Sequence, residues 1–242
     1  MKLSVIIPVY NEETTISEVI DKVRAVSLPL EKEIIVVDDG SNDHTADILK
    51  GREQDVTVVH YSRVNLGKGV AIRIGLTYVT GDIVIIQDAD LELNPEEYQR
   101  LITPILNNET NVVYGSRFLH PANKIPRKTL WANKFLVWYT NLLYGSHLTD
   151  METAYKVFRA EIIKNIPLTS HRFEIEPEIT AKLLLLKQHI KEIPIEYNPR
   201  TPDEGKKIKW HDGILALWTL SKYRIQGFAV KPDGAMLSHR AY

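Results

Sequence analysis

Four short apolar runs constrain the fold of this chain more than any other feature. They lie at Leu3 to Val9, Ile34 to Val37, Val56 to Tyr61 and Ile83 to Ile86. Continuous rather than alternating apolar residues are typical of strands buried on both faces of a sheet. Between the runs, apolar residues recur at helical spacing, as in Ile16, Val19, Ile20, Val23 and in Val70, Ile74, Tyr78. We therefore predict an α/β fold with a mostly parallel central sheet and helices on both faces.

The size of the chain favours a single domain. Its 242 residues are 44% hydrophobic, and we predict one domain over residues 1–225 followed by a C-terminal tail over 226–242. In the second half, strands are predicted at Val112 to Tyr114 and Ile190 to Ile195, and a helix near Glu176-Pro177-Glu178. We expect the charged stretch Asp203 to Lys209 to be a long mobile loop and the end of the chain to be poorly ordered.

Composition excludes several kinds of protein. Thirty basic and 31 acidic residues give a net charge of -1, so the overall balance does not suggest nucleic-acid binding. The absence of cysteine excludes disulfides and thiolate metal sites. Residues 1–9 lack the regions of a signal peptide, and no run approaches the roughly 18 apolar residues of a spanning helix. We expect a cytoplasmic protein without membrane anchors, either soluble or peripheral at the cytoplasmic membrane face.

An acidic pair follows the fourth apolar run. Side chains two apart on an extended segment face the same way, so Asp88 and Asp90, with Glu92 as a third ligand, could converge on Mg²⁺ or Mn²⁺. Such a cation would bind phosphate oxygens in turn. The alternative is that Asp88 and Asp90 cap a helix that begins near Asn94-Pro95-Glu96.

Polar clusters also follow the other three runs, where ligands bind in parallel α/β sheets. Tyr10-Asn11-Glu12 replaces the glycine fingerprint of dinucleotide-binding proteins, which disfavours nicotinamide chemistry, and it could equally cap a helix. There are two interpretations of Asp38-Asp39-Gly40-Ser41. The segment forms a turn and the cap of the next helix, or its second aspartate accepts hydrogen bonds from a nucleobase. Gly67-Lys68-Gly69 is compatible with a phosphate cradle and with a glycine turn that carries a solvated lysine.

Taken together, these motifs resemble those of the family 2 glycosyltransferases. That family has P-x-Y-N-E, V-D-D-G-S and D-x-D motifs, which here begin at Pro8, Val37 and Asp88. Within the family the chain is most similar to the dolichyl-phosphate mannose synthases and other polyprenyl-phosphate glycosyltransferases, because segments 65–69, 87–91 and 115–118 occur in the same order. The similarity spans about residues 1–225. It departs from the family pattern at Glu92, where Gln is frequent, and at Ala154, where Gly is common.

The resemblance implies an A-type glycosyltransferase fold and an inverting, metal-dependent transfer. The sugar would be a hexose from a donor of the GDP-mannose or UDP-glucose type, and the acceptor a polyprenyl phosphate. The nucleotide would contact Pro8, Tyr10, Asn11, Glu12, Asp39, Lys68 and Asp88. Asp88, Asp90 and Glu92 would hold Mg²⁺ or Mn²⁺, and Arg200 a phosphate; Asp88, Asp90, Arg117 and Arg200 would form the catalytic set.

Further candidates for the acceptor site lie in the second half. Arg117, Arg127, Asp150 and Glu176 are the predicted acceptor-binding residues, with Glu152, Lys128, Lys206 and Lys207 as additional charged groups. The alternatives are a helix cap for Glu176 and a solvated face for most of the basic residues. If the acceptor were a soluble hydroxyl instead of a phosphate, Asp150 or Glu176 would act as the base. A nucleotide-binding regulator without turnover and a nucleotidyltransferase remain further alternatives.

The segment Thr129 to Tyr144 predicts an amphipathic helix rich in aromatic residues. Such a helix could lie in the interface of a bilayer, or be buried against the sheet. The first alternative predicts a peripheral membrane protein. A membrane-protein partner and a homo-oligomer are compatible with either.

Overall fold

The computed structural model describes residues 1–200 and 210–228. Its seven strands are β1 (Lys2–Val9), β2 (Glu31–Asp38), β3 (Val58–Tyr61), β4 (Ile83–Ile86), β5 (Val112–Ser116), β6 (Lys156–Arg159) and β7 (Ile190–Pro194). Its eight α-helices are α1 (Ile16–Ala25), α2 (Thr45–Lys50), α3 (Lys68–Tyr78), α4 (Tyr98–Leu106), α5 (Arg127–Tyr144), α6 (Ala160–Asn165), α7 (Ile175–Leu185) and α8 (Trp210–Gln226). The predicted loop at 203–209, with Lys206 and Lys207, and the end of the predicted tail lie outside the described residues.

All seven strands form one sheet in the order β3-β2-β1-β4-β6-β5-β7. The pairs β1–β2, β1–β4, β2–β3 and β5–β7 are parallel, whereas β6 is antiparallel to both β4 and β5. The prediction of a mostly parallel sheet is confirmed. Strand β6 was not predicted, because two of the four residues in Lys156–Arg159 are basic and leave no continuous apolar run.

Helices cover both faces of the sheet, as the apolar strands predict. On one face, Ile16, Val19, Ile20 and Val23 of α1 pack with Leu101 and Ile105 of α4. On the other face, Ala71 and Ile72 of α3 pack with Ile175 and Ile179 of α7. Burial of these two apolar layers stabilises the domain at about 25 cal/mol per Å² of apolar surface.

A third, smaller cluster joins α5, α7 and α8. Leu136 and Val137 of α5 pack with Ala216, Leu220 and Tyr223 of α8. The helix predicted from 129 to 144 is therefore neither wholly exposed nor wholly buried. None of the described helices is both long enough and apolar enough to cross a bilayer.

A buried carboxylate, Glu33, stabilises the sheet at the edge opposite the polar clusters. It lies 2.5 Å from the ammonium of Lys2 and accepts hydrogen bonds from Ser4 Oγ at 2.5 Å and Thr80 Oγ1 at 2.6 Å. Burial acts to raise the pKa of Glu33, but Lys2, Ser4 and Thr80 outweigh it and lower this pKa to about 2. Glu33 thus joins β1, β2 and the segment that precedes β4.

We predict that Glu33→Gln lowers the free energy of unfolding at pH 7 by about 2 to 3 kcal/mol. The folded-state pKa is below the ordinary value of 4.5, so the stabilisation is complete above about pH 4.5 and disappears as the pH falls toward 2. Denaturant unfolding at several pH values should therefore show the two proteins converging in acid. The control is Glu31→Gln, which changes an exposed carboxylate on the same strand. Equal stability of Glu33→Gln and the unmodified protein at pH 7 would contradict this account.

Candidate functional site

The polar clusters lie at one edge of the sheet because β1, β2 and β4 run parallel. Val9 pairs with Asp38, so β1 and β2 end side by side. The backbone N–H of Asn11 donates to Ser41 Oγ at 2.9 Å, and Thr15 Oγ1 donates to the carbonyl of Ala89 at 2.7 Å. Segments that follow three different strands are therefore in direct contact.

The two aspartates after β2 have different structural tasks. Asp38 closes a turn by accepting hydrogen bonds from the backbone N–H and the hydroxyl of Ser41. Asp39 accepts from the N–H groups of Leu66 at 2.9 Å and Gly67 at 2.7 Å, and burial raises its pKa. The turn alternative is confirmed for Asp38. The contact of Asp39 with a nucleobase stays a prediction. The same carboxylate also anchors the loop that contains Gly67.

The glycines around Lys68 allow the loop to approach the segment at 170–171 closely. Gly67 has a φ of +101°, and a Cβ there would lie 2.3 Å from the carbonyl oxygen of His171. A Cβ on Gly69 would lie 2.5 Å from the carbonyl oxygen of Ser170. Since no side chain fits at either position, the loop is held against this segment and Lys68 is directed into the site.

Lys68 is not solvated, contrary to one of the two sequence interpretations. Its side chain is only 14% exposed, and its ammonium lies 2.8 Å from Asp88 Oδ1 and 3.1 Å from Glu176 Oε1. Oε2 of Glu176 is in turn 2.5 Å from the ammonium of Lys156, which is fully buried. Asp88, Lys68, Glu176 and Lys156 thus form a chain of alternating charges, which we call the charge chain.

Glu176 does not cap a helix, although the sequence was compatible with that role. It lies in the first turn of α7, and its carboxylate forms ion pairs with two lysines instead. Burial acts to raise its pKa, yet Lys156 and Lys68 outweigh burial and hold the pKa below its ordinary value. Glu176 therefore remains an anion inside the protein.

Asp90 lies in an excess of negative charge. Burial, together with Asp88 and Glu92, raises the pKa of Asp90 to about 7, and Arg200 offsets only part of the effect. One oxygen of Asp90 accepts from the N–H of Glu92 at 3.1 Å. Neither Asp88 nor Asp90 caps the following short helix, since Asn94 accepts from the N–H of Glu96 there.

These carboxylates fit a hard divalent cation in part. Within residues 1–200 and 210–228, no three acidic or histidine side chains lie close enough to form a complete metal site. Glu92 is directed elsewhere, as it accepts from the backbone N–H of Arg200 at 2.8 Å. The structure therefore does not assemble the predicted trio. Asp88, which is paired with Lys68, and Asp90, whose charge Arg200 offsets only in part, remain as two oxygen ligands, which suits a cation whose other ligands come from a bound molecule.

Arg200 binds protein groups rather than an open anion site. Its guanidinium donates to both carboxylate oxygens of Glu12, at 2.7 and 3.2 Å, and to the carbonyl of Asp90 at 2.8 Å. Arg200 thus joins the loop after β1 to the loop after β4. The predicted contacts of Glu12 with a nucleotide and of Arg200 with a phosphate stay predictions, and both groups already hold the loops together.

Arg117 and Asp150 form a buried, bidentate pair. Nε and Nη2 of Arg117 donate to the two carboxylate oxygens at 2.7 and 2.8 Å, and Asp150 is fully buried. The guanidinium carbon also lies 5.2 Å from the ring centroid of Tyr197. The backbone N–H of Asp150 donates to Glu192 at 2.9 Å. The remaining predicted acceptor residue, Arg127, is exposed at the start of α5, and its contact with an acceptor stays a prediction.

Two charged residues of the site, Lys156 and Glu192, were not predicted from the sequence, and a third, Glu152, was predicted only as one of several charged groups. Lys156 and Glu192 belong to no motif, and their roles follow from tertiary pairing alone. Glu152 was only one of several carboxylates in its segment. Its Oε1 is buried without a hydrogen-bond partner, and burial raises its pKa to about 7. The available signal for Lys156 was a basic residue directly before the apolar pair Val157-Phe158.

Comparisons with known proteins identify the family. Residues 4–166 match the glycosyl transferase family 2 model. The chain is 30% identical over 226 residues to a dolichyl-phosphate beta-glucosyltransferase of Trichomonas vaginalis, covering 86% of this chain and 68% of that one. It is 30% identical over 184 residues to dodecaprenyl-phosphate galacturonate synthase of Rhizobium johnstonii, covering 72% of this chain and 53% of that enzyme. This chain thus spans about half the length of the latter.

Solved structures share the fold. Glucosyl-3-phosphoglycerate synthase of Mycobacterium tuberculosis, in complex with Mn²⁺, UDP and phosphoglyceric acid, superposes with a TM-score of 0.69. It is 22% identical, and the alignment covers 92% of this chain and 78% of that chain.

The fold is the A-type glycosyltransferase fold. The chain belongs to glycosyl transferase family 2 and is a glycosyltransferase, as its motifs predict.

Proposed function

We propose that this glycosyltransferase moves a hexose from a nucleotide sugar, of the GDP-mannose or UDP-glucose type, to a polyprenyl phosphate with inversion. The observation that carries the proposal is the crowding of Asp88 and Asp90 at the ligand-binding edge of the sheet, where burial raises the pKa of Asp90 to about 7. Two relatives are named for transfer to dodecaprenyl or dolichyl phosphate, which supports the acceptor class.

On this proposal the edge of the sheet holds the donor. Asp88 and Asp90 would hold Mg²⁺ or Mn²⁺, which when bound supplies Lewis-acid stabilisation to the leaving diphosphate. Lys68 and Arg200 would add positive charge beside it, and Asp39 keeps the loop that carries Lys68 in place. The predicted contacts with Pro8, Tyr10 and Asn11 would orient the nucleotide at the ends of β1 and β2.

The pairing of the carboxylates supports a phosphate acceptor. A phosphate monoester has a second pKa of roughly 6, so at neutral pH it is already a nucleophile and needs little help from a base. Asp150 is bound by Arg117 through both oxygens, and two lysines hold the pKa of Glu176 below its ordinary value. Neither is suited to remove a proton from a hydroxyl. Arg117 would orient the acceptor phosphate from this fixed position.

A hydroxyl acceptor is the second candidate, and Glu152 is the observation that favours it. A carboxyl whose pKa is raised to about 7 by burial could act as a general base near neutral pH. In that case Glu152 would be the base, instead of Asp150 or Glu176 as predicted from the sequence. The chemical identity of the glycosylated product distinguishes the two acceptors.

We predict that Asp90→Asn lowers turnover by about two to three powers of ten, which corresponds to the loss of about 3 to 4 kcal/mol of electrostatic stabilisation. The fold should persist, because Asp90 lies at the partly exposed edge and an asparagine side chain could still accept the hydrogen bond from the N–H of Glu92. Release of nucleoside diphosphate from a nucleotide sugar with Mn²⁺ measures the loss, and circular dichroism checks the fold. Near-normal turnover of the variant, or full activity of the unmodified protein in excess chelator, would refute a metal role.

The outer surfaces of α5 and α8 support a location at the cytoplasmic face of a membrane. Exposed apolar side chains lie on one stripe of α5, where Trp131 is 72% exposed, and on α8, where Trp218 is 66% exposed. The two helices pack against each other. Helix α5 also carries three basic and no acidic residues. An apolar face with cationic neighbours suits adsorption to an anionic bilayer. The exposed apolar residues of the two helices are Trp131, Phe135, Trp138, Leu142, Ile214, Leu215, Trp218 and Ile225.

We predict weak, reversible binding to anionic phospholipid vesicles. Replacing Trp131, Trp138 and Trp218 together by serine should reduce binding at least about tenfold, because interfacial affinity depends on buried apolar and aromatic surface. Vesicle flotation measures binding. The control Tyr78→Ser removes an exposed aromatic ring from α3 and should bind as the unmodified protein does. If no protein floats even with polyprenyl phosphate in the vesicles, the membrane location is wrong.

A further inference from the structure

Lys68 forms a direct ion pair with Asp88, one of the two proposed ligands of the cation. Its ammonium is 2.8 Å from Asp88 Oδ1, the distance of a direct ion pair, and the side chain is largely buried. A buried ammonium without partners would be costly, so the contact with Asp88 satisfies both groups. A divalent cation at Asp88 would meet this fixed positive charge at close range.

We propose that Lys68 is an internal competitor of the divalent cation for Asp88, and that a nucleoside diphosphate relieves this competition. The inference rests on the proposed function, since it takes Asp88 as a ligand of the cation. A diphosphate offers Lys68 another anionic partner, which frees Asp88. Cation and nucleoside diphosphate therefore bind with a cooperativity that depends in part on Lys68.

The surroundings of Lys68 allow its ammonium to leave Asp88 without leaving the site. Its backbone is anchored, because Asp39 binds the N–H groups of Leu66 and Gly67 and both flanking glycines contact the 170–171 segment. Only the side chain needs to move. Glu176 would keep Lys156 at 2.5 Å as its partner, so moving Lys68 leaves no anion of the charge chain unpaired once a cation is bound.

Charge accounts for the direction of the effect. Asp88 and Asp90 are the two proposed ligands of the cation, and Asp88 is the one that lies 2.8 Å from the ammonium of Lys68. While Lys68 binds Asp88, one of the two candidate ligands is neutralised by the protein itself. Asp90 is then the remaining anionic ligand that the protein offers the cation, and the ammonium of Lys68 repels the cation.

The test is a Mn²⁺ titration of the whole protein by calorimetry, with no nucleotide and then with saturating UDP or GDP. Without nucleotide, Lys68→Met should bind Mn²⁺ at least about tenfold more tightly than the unmodified protein, because a repelling unit charge is lost. The nucleoside diphosphate should then increase Mn²⁺ affinity by a smaller factor in Lys68→Met than in the unmodified protein. Lys191→Met is the matched control. It removes the same charge from an exposed residue of β7 that pairs with Glu109, and it should change neither the Mn²⁺ affinity nor the effect of the nucleoside diphosphate on it.

Two further variants keep the test decisive if Lys68→Met does not fold. Lys68→Gln should also bind Mn²⁺ more tightly, whereas Lys68→Arg keeps the charge and should keep the weaker affinity. Equal Mn²⁺ affinity in the unmodified protein and the neutral variants, with affinity lost in Asp90→Asn, would refute the competition but leave the metal site intact. If no protein binds Mn²⁺ even with UDP or GDP, the metal site itself is wrong and the inference fails with it.

Discussion

The placement of Lys68 between Asp88 and Glu176 is the interaction on which the organisation of the site depends. Parallel strands bring acidic residues to one edge of the sheet, where burial makes their charges costly. The charge chain offsets most of this cost by alternating anions and cations from the segment after β4 and from α3, α7 and β6. Asp90 is compensated only in part, by Arg200, and burial together with the neighbouring carboxylates raises its pKa to about 7. The proposed divalent cation would neutralise this remaining negative charge.

The same interaction explains features of the loops that appear unrelated in the sequence. The glycines beside Lys68 permit the close approach to residues 170–171, which precede α7 and Glu176. Asp39 fixes that loop from the other side. Arg200 performs a similar task for Glu12 and the segment after Asp90. Residues that are predicted to contact the ligand thus also stabilise the loops of the site. A substitution there would change the geometry of the site as well as its affinity for the ligand.

Sequence patterns were sufficient for the layers of the fold but not for the pairing of charges. Continuous apolar runs predict buried parallel strands, since burial on both faces leaves little choice of residue. Strand β6 was missed because it is antiparallel and contains Lys156, whose partner Glu176 lies 20 residues away in sequence. The motif around Asp88 indicated the site, yet nothing local shows that Lys68 would bind it. Ion pairs between distant segments depend on tertiary structure, which no local pattern encodes.

The central claim is that the acidic edge of the sheet catalyses transfer of a sugar from a nucleotide to a lipid phosphate. The most direct measurement incubates the protein and Mn²⁺ with a panel of nucleotide sugars and a short polyprenyl phosphate, and quantifies nucleoside diphosphate and glycolipid together. The account predicts equal amounts of both products for one or a few donors, with inverted configuration at the sugar. Glycosylation of only a hydroxyl acceptor in a parallel panel, or no turnover of any donor, would contradict it.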